Sequence, residues 1–318
     1  MGLDHSGLSP RALLRVVDQC VRLPFREARE ALEIQGLSLS LSHCERLTQG
    51  YAEVFEQASV EALKVLADLP LASAAMKPRT MVVQADGVYV QERDKPVQGQ
   101  CEGREVKQVL FYPNSSPSER DSYASTAAID DFIPLAQGLM RQAGVRQDDV
   151  LIGVGDGAAW VEGLFDCLGV EQRILDVYHA TGYLDQIMLA LGWDDETRLA
   201  HRCSWQRGDI NARVWLKHYL PPPEDWLAWD EASQAALRYL ETRLDQLDYC
   251  DFKAKGYPIG SGQIEGANKS VIGARMKRGG MRWSREGIPR MAALRSAQLS
   301  QRPLADFHET RLEAFRQY

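Results

Sequence analysis

The stretch Val150-Leu151-Ile152-Gly153-Val154, closed by Gly155-Asp156-Gly157, constrains the fold of this chain more than any other. A run this short and this apolar, bounded by glycine, reads as a strand buried on both faces at the centre of a sheet. Helical patterns flank it, Ala127 to Ala143 before and Trp160 to Cys167 after, and a second strand follows at Arg173 to Val177. Upstream, Met81 to Val90 is β-branched and strand-like and Glu105 to Tyr112 alternates, with a polar, Gly-containing hairpin loop between them. Strands alternating with helices predict a mixed α/β sheet layered with helices.

The segments on either side of this pattern read as helix. Pro10 opens a periodic run to Val21, Pro24 opens another that stops at Gly36, and Ser42-His43-Cys44-Glu45 has capping-box spacing ahead of a third helix reaching about Ser59. Three short helices suit either a helix-turn-helix or a plain packing module. Past His179 the pattern is helical throughout, over Leu184 to Trp193, Arg198 to Tyr219 and Glu224 to Leu247, with Pro221-Pro222-Pro223 as a separator. A helix begins near Ser261 and runs past Ala274, and a last one covers Ile288 to about Ser300. The expected organisation is a helical region at 1–75, the first part of the core at 76–180, an all-helical insertion at 181–255, and a core helix with a basic segment at 256–318.

Charge is segregated along the chain. Between Lys253 and Arg302 eleven basic residues face only Glu265 and Glu286, a local sum of +9; with −7 for the whole, the remainder carries −16. That contrast suits a polyanion-binding surface, although a solvated basic helix face would look similar. Gly279-Gly280 and Trp283 inside the segment favour nucleic acid, because glycine permits close backbone approach and an indole offers a stacking face. The 318 residues, 45% hydrophobic and 25% charged, fit an ordinary globular protein. No stretch of about 18 apolar residues predicts a membrane span. Asp4 and His5 interrupt the N-terminus, which does not resemble a secretory signal. Six cysteines without CxxC spacing predict reduced thiols and a cytoplasmic location rather than a zinc ribbon or a disulfide framework.

Three carboxylates stand where a structural use is hard to defend. Asp86 interrupts a strand, Asp156 ends the most hydrophobic strand between two glycines, and Glu265 lies near the start of a helix after Gly260-Ser261-Gly262. Strand ends and helix starts of an α/β sheet are where ligands collect. Oxygen ligands of this kind suit Mg²⁺, and two ions about 4 Å apart support in-line phosphoryl transfer. Each carboxylate also has a plain structural reading: Asp86 as a turn with Gly87, Asp156 as a helix cap, Glu265 as an i,i+4 partner of Lys269. Asp176, three residues before His179, would orient the imidazole or hold the strand end.

Four ordered blocks carry a resemblance: Gly155-Asp156-Gly157-Ala158-Ala159-Trp160; Ile174-Leu175-Asp176-Val177-Tyr178-His179-Ala180; Pro258-Ile259-Gly260-Ser261-Gly262-Gln263-Ile264-Glu265; and Met276-Lys277-Arg278-Gly279-Gly280-Met281-Arg282-Trp283-Ser284. Over roughly residues 75–302 the chain resembles the DDE transposases of bacterial insertion sequences, the ISKra4-like group in particular, with wider similarity to IS256 and Mutator-like enzymes. The resemblance implies a ribonuclease H-like core with Asp86, Asp156 and Glu265 as catalytic, metal-holding residues for Mg²⁺ or Mn²⁺, two ions in all. It further implies that Asp176 and His179 match an Asp/Cys-x-x-His motif, with His179 acting near the scissile phosphate, and that Asn268 fills an auxiliary polar position.

The expected activity is metal-dependent cleavage and strand transfer at insertion-sequence ends. Lys269, Arg275, Lys277, Arg278, Arg282 and Arg285 would bind DNA, with Trp283 stacking on an exposed base. The expected partners are transposon-end and target DNA, bound by a homodimer, with no membrane and a nucleoid-associated location in a bacterial cytoplasm. Members of the group usually carry more N-terminal sequence, so either this chain is a fragment, a partner supplies part of end recognition, or mobility has been lost. Two rival functions follow: a degenerate or domesticated, non-catalytic DNA-binding protein, and a ribonuclease H-like nuclease without strand transfer.

Overall fold

A computed structural model describes residues 7–75, 77–97 and 100–300. Asp4, His5 and Arg302, singled out in the sequence, lie outside the described residues, as does the connection at 98–99 in the expected hairpin loop. The protein is α/β, with a five-stranded mixed sheet in the order β3-β2-β1-β4-β5. The strands are β1 (Thr80–Val97), β2 (Gln100–Pro113), β3 (Asp121–Ser125), β4 (Val150–Gly155) and β5 (Gln172–Leu175). The chain forms two units, one of residues 1–78, 85–149 and 263–318, the other of 79–84 and 150–262. β1 passes from one to the other after Gln84.

In the first unit Ser9 caps α1 (Pro10–Arg22) by accepting from Ala12 N at 3.3 Å, with proline at the first helical position, and Leu13, Val16, Val17, Cys20 and Val21 form its buried face. α2 (Phe25–Ile34) follows Pro24 and ends just before the turn at Gln35 and Gly36, where Gly36 takes φ +81°. α3 (Leu41–Ala67) corrects two expectations. Its cap is Ser40, whose Oγ accepts from His43 N at 3.2 Å, so the Ser42/Glu45 box does not form. The helix also runs past Ser59, whose hydroxyl turns back onto Phe55 O at 2.7 Å and stays inside the helix. At 27 residues, α3 packs against α1, α2 and α4 (Ile129–Gln142). α3 and α4 touch at Gly138, where a Cβ would lie 2.0 Å from Leu63 O.

β3 was not legible in the sequence. Asp-Ser-Tyr-Ala-Ser shows no alternation because all five residues are buried, with the antiparallel partner β2 on one edge and α14 (Gly287–Leu299) packed against it. Ser300 Oγ accepts from Ser122 N at 2.9 Å, so the serines that obscure the strand are paired. The core of this unit joins α1–α3 to Val90, Val106 and Ala124 of the sheet and to Ile288, Met291 and Leu294 of α14.

In the second unit β4 pairs in parallel with the start of β1 (Thr80↔Val150 to Gln84↔Val154) and with β5 (Ile152↔Gln172 to Gly155↔Leu175). α5 (Ala159–Leu168) connects β4 to β5, and α6 (Val177–Ala190) follows β5. The expected helix over 198–219 is two, α7 (Asp195–Gln206) and α8 (Ala212–Tyr219), because Gly208 turns the chain at φ +68° and Asn211 caps α8. The expected helix over 224–247 likewise divides into α9 (Pro223–Trp226) and α10 (Glu231–Glu241), the latter capped by Asp230. α11 (Tyr249–Ala254) completes the set, and no strand occurs among the described residues between 180 and 255. No helix of the described residues is long and apolar enough to cross a membrane.

Candidate active site

Asp86 lies on β1 itself, two residues into its first-unit portion, so the Asp-Gly turn does not form. Its Oδ2 accepts from Asn268 Nδ2 at 2.7 Å across 182 residues of sequence, and its Oδ1 lies 2.7 Å from Gly87 N. Asn268 ends α12 (Gly262–Asn268), which also carries Glu265. Asp86, Glu265, Asn268, Lys269 and Lys277 line one open cleft of about 430 Å³. Lys269 Nζ stands 3.7 Å from Glu265 Oε2, so the i,i+4 pair coexists with exposure to the cleft.

Asn268 is 8% exposed, and its Oδ1 is buried without a hydrogen-bond partner. An amide whose nitrogen is held by a carboxylate and whose oxygen is unsatisfied calls for a cation or a donor beside it. The oxygen-only donor set of Asp86, Glu265 and Asn268 fits a hard divalent ion such as Mg²⁺. Among the described residues no group of three His, Cys, Asp or Glu side chains gathers to hold a metal.

A structural oddity follows α12. Residues Lys269–Gly273 form a π-helical turn leading into α13 (Ala274–Met276). Such turns leave backbone carbonyls short of partners. Arg295 of α14 supplies them: Nη2 donates to Ser270 O and Nε to Val271 O at 3.1 Å, while Nη1 reaches Gln298 Oε1 at 2.9 Å. Burial pulls the guanidinium of Arg295 below its ordinary pKa.

Asp156 belongs to the second unit, at the end of β4. Its Oδ1 accepts from Ala158 N at 2.9 Å, closing the turn ahead of α5, but the helix cap itself is Ala158. Gly157 takes φ +76°, and a Cβ there would lie 2.0 Å from Tyr239 Oη. Tyr239 of α10 donates to Asp156 O at 2.7 Å, and Arg243 stacks on the Tyr239 ring and donates to Gly157 O at 3.3 Å. Burial pushes the Tyr239 hydroxyl up to about 12, so it remains a donor. The helical insertion therefore braces the loop that carries Asp156. Sequence reasoning missed this pair; its only signal was the i,i+4 spacing of a tyrosine near the end of α10 and an arginine in the turn that follows it.

Asp176 is fully buried and serves three elements. Oδ1 accepts from Tyr178 N and His179 N, both at 2.9 Å, capping α6, and sits 3.0 Å from His179 Nδ1. Oδ2 accepts from Ser261 N at 2.7 Å and Ser261 Oγ at 2.8 Å, which ties the Gly260-Ser261-Gly262 loop to the end of β5. Burial raises its pKa, but the hydrogen bonds from His179 and Ser261 outweigh this and bring it to about 2. With Nδ1 beside Asp176, the His179 side chain is half-exposed.

Lys269, Lys277, Arg278, Arg282 and Arg285 are exposed, with Arg278 paired to Glu27 at 3.0 Å. Arg275 and Trp283 depart from expectation. Arg275 is 1% exposed and donates from Nε to Cys20 O at 3.0 Å. Trp283 is 7% exposed, and its Nε1 donates to Met276 O at 3.1 Å. The cause is local: Trp283 bridges to β1 at Glu92, with Arg93 N donating to Trp283 O at 2.7 Å, and this turns the indole into the core rather than toward a base.

Comparison with models of known protein families and with curated proteins gives no match.

Proposed function

We propose that this chain is a DDE-type transposase, with a ribonuclease H-like core, that cleaves DNA at insertion-sequence ends and joins the freed 3′-hydroxyl to target DNA. The observation that carries the reading is the cleft in which Asp86 of the first strand meets Glu265 and Asn268 of a helix far along the chain. The ordered sequence blocks around Asp156, Asp176 and Glu265 support it independently.

In this reading Asp86, Asp156 and Glu265 would hold two Mg²⁺ or Mn²⁺ ions, which would supply activation of the attacking hydroxyl and stabilisation of the leaving oxygen. Asn268 fixes the Asp86 carboxylate. Lys269 and Lys277 place positive charge at the rim, where a phosphodiester would lie, and Arg278, Arg282 and Arg285 extend that charge along the backbone of a bound strand. His179, its tautomer set by Asp176, offers Nε2 to a phosphate-bound water or, when protonated, to a phosphate oxygen. The protein would act as a homodimer on DNA in a bacterial cytoplasm.

The test is Mg²⁺-dependent nicking of supercoiled DNA by the wild type, Asp86→Asn and Asp156→Asn, with DNA binding measured alongside. Abolished nicking with near-normal binding is expected of both variants; retained nicking in either would overturn the assignment. A second reading, a non-catalytic DNA-binding protein, is favoured by the lack of three gathered metal-type side chains among the described residues. Calorimetric titration with Mn²⁺ separates the two, since that reading requires no metal binding near neutral pH.

A further inference from the structure

α8, α9 and α10 of the helical insertion border an open groove of about 330 Å³, which the cleavage reading leaves unused. Leu216 and Leu220 of α8 and its cap, Trp226 of α9 and Leu244 beyond α10 give it an apolar lining. The wall is set in advance: Pro221 and Pro222 restrict the backbone ahead of α9, and Trp226 Nε1 donates to Pro221 O at 2.9 Å. Two large apolar side chains next to lining residues in the chain stand in solvent. Val214, 66% exposed, follows Arg213, and Leu227, 80% exposed, follows Trp226. An open apolar surface with a charged rim marks a contact with another molecule.

The rims carry opposite charge. Arg213 and Lys217, four residues apart on α8, line the groove from one helix, and Glu241 lines it from the end of α10. All three are exposed, and none is ion-paired among the described residues. A surface that sets an apolar knob next to an apolar hole, and cations across from a carboxylate, is complementary to itself. Rotation by 180° about an axis along the groove lays each Leu227 against the other copy's Leu216, Leu220 and Leu244, and the same rotation brings each α8 cation pair over the other copy's Glu241. A small apolar anion would use Arg213 and Lys217 but meet Glu241 with like charge and leave Leu227 in water. A second copy uses every one of these groups.

We propose that this groove is a two-fold interface between two copies of the chain, with Leu227 of each seated in the groove of the other. The interface lies wholly within the helical insertion and uses neither the acidic residues Asp86, Asp156 and Glu265 nor the basic segment after Lys253. It therefore forms without DNA or metal, and it stands or falls apart from the cleavage reading.

The experiment is sedimentation equilibrium of the full chain, without DNA or divalent metal, from about 1 to about 100 µM. A reversible dimer is expected in that range. Leu227→Asp, at a position exposed in the single chain, should weaken it about 100-fold or more, because each dimer loses the buried leucine twice. Lys217→Glu and Glu241→Lys should each weaken it by about fivefold, and the double variant should return to within about twofold of the wild type, a recovery that damage to the fold could not give. Circular dichroism checks that each variant keeps the fold. A monomer at about 100 µM, which would leave the groove to a partner of another sequence, overturns the proposal, and so does wild-type affinity in Leu227→Asp. A double variant no tighter than the single ones overturns the pairing of the rims.

Discussion

Replacing Asp176 by Asn isolates the contribution of one buried carboxylate. In the wild type Oδ2 accepts two hydrogen bonds from Ser261, and Oδ1 accepts from two backbone amides of α6. An asparagine oxygen can keep the amide pair, but its NH₂ then confronts Ser261 N, donor against donor, in a fully buried position. Stranding one or two buried donors costs about 3 kcal/mol in all. The depressed pKa gives an independent magnitude: a drop from the ordinary 3.8 to about 2 is worth about 2 kcal/mol of folding stability at neutral pH.

The sign of the pH dependence follows from that depression. The stabilisation is complete above the unfolded-state pKa, begins to fall below about pH 4, is roughly half lost near pH 3, and vanishes below the folded-state value of about 2. Urea unfolding of wild type and Asp176→Asn between pH 7 and pH 3 should therefore show a gap of about 2–3 kcal/mol that narrows by about 1 kcal/mol on acidification. A gap under about 0.5 kcal/mol at pH 7, or one that stays constant down to pH 3, would refute the account of Asp176 as an ionised clasp between α6 and the Ser261 loop.

Two further substitutions probe the braced loop and the first cleft. Gly157→Ala meets both the positive φ and the Tyr239 hydroxyl and should lose about 3 kcal/mol in urea unfolding, with Tyr239→Phe in the same chain restoring part of it. Asn268→Ala removes the donor that fixes Asp86 and should weaken Mn²⁺ binding by about 10–100-fold in calorimetry while thermal stability changes little; unchanged affinity would remove Asn268 from the site.

The sheet was legible because Val150 to Gly155 is too apolar and too short for a surface element; it lies inside the sheet between β1 and β5, although the central strand is β1 and not, as expected, this one. β3 escaped because burial on both faces erases alternation, and its serines find partners only in tertiary contacts such as Ser300. Local capping was partly readable: the Glu45 three residues after Ser42 pointed to Ser42, whereas the cap is Ser40, two residues earlier. Within the sites, the carboxylates stood out as residues misplaced for their elements. Their supports, Asn268 for Asp86, Ser261 for Asp176 and Tyr239 for the Asp156 loop, act across long stretches of chain, where spacing carries no information. Arg275 and Trp283 look like surface residues in a basic run; only the bridge of Trp283 to β1 reveals that they face inward.

The wide turn at Lys269–Gly273 has an evolutionary corollary. One extra residue in a helix rotates everything after it by about 100° relative to what comes before. Glu265 and Asn268 therefore answer to one set of neighbours, and Val271, Ile272 and Met276 to another. Mutations that retune the acidic end need not be matched by compensating changes in the oily end, so the helix can drift in its chemistry without losing its seat.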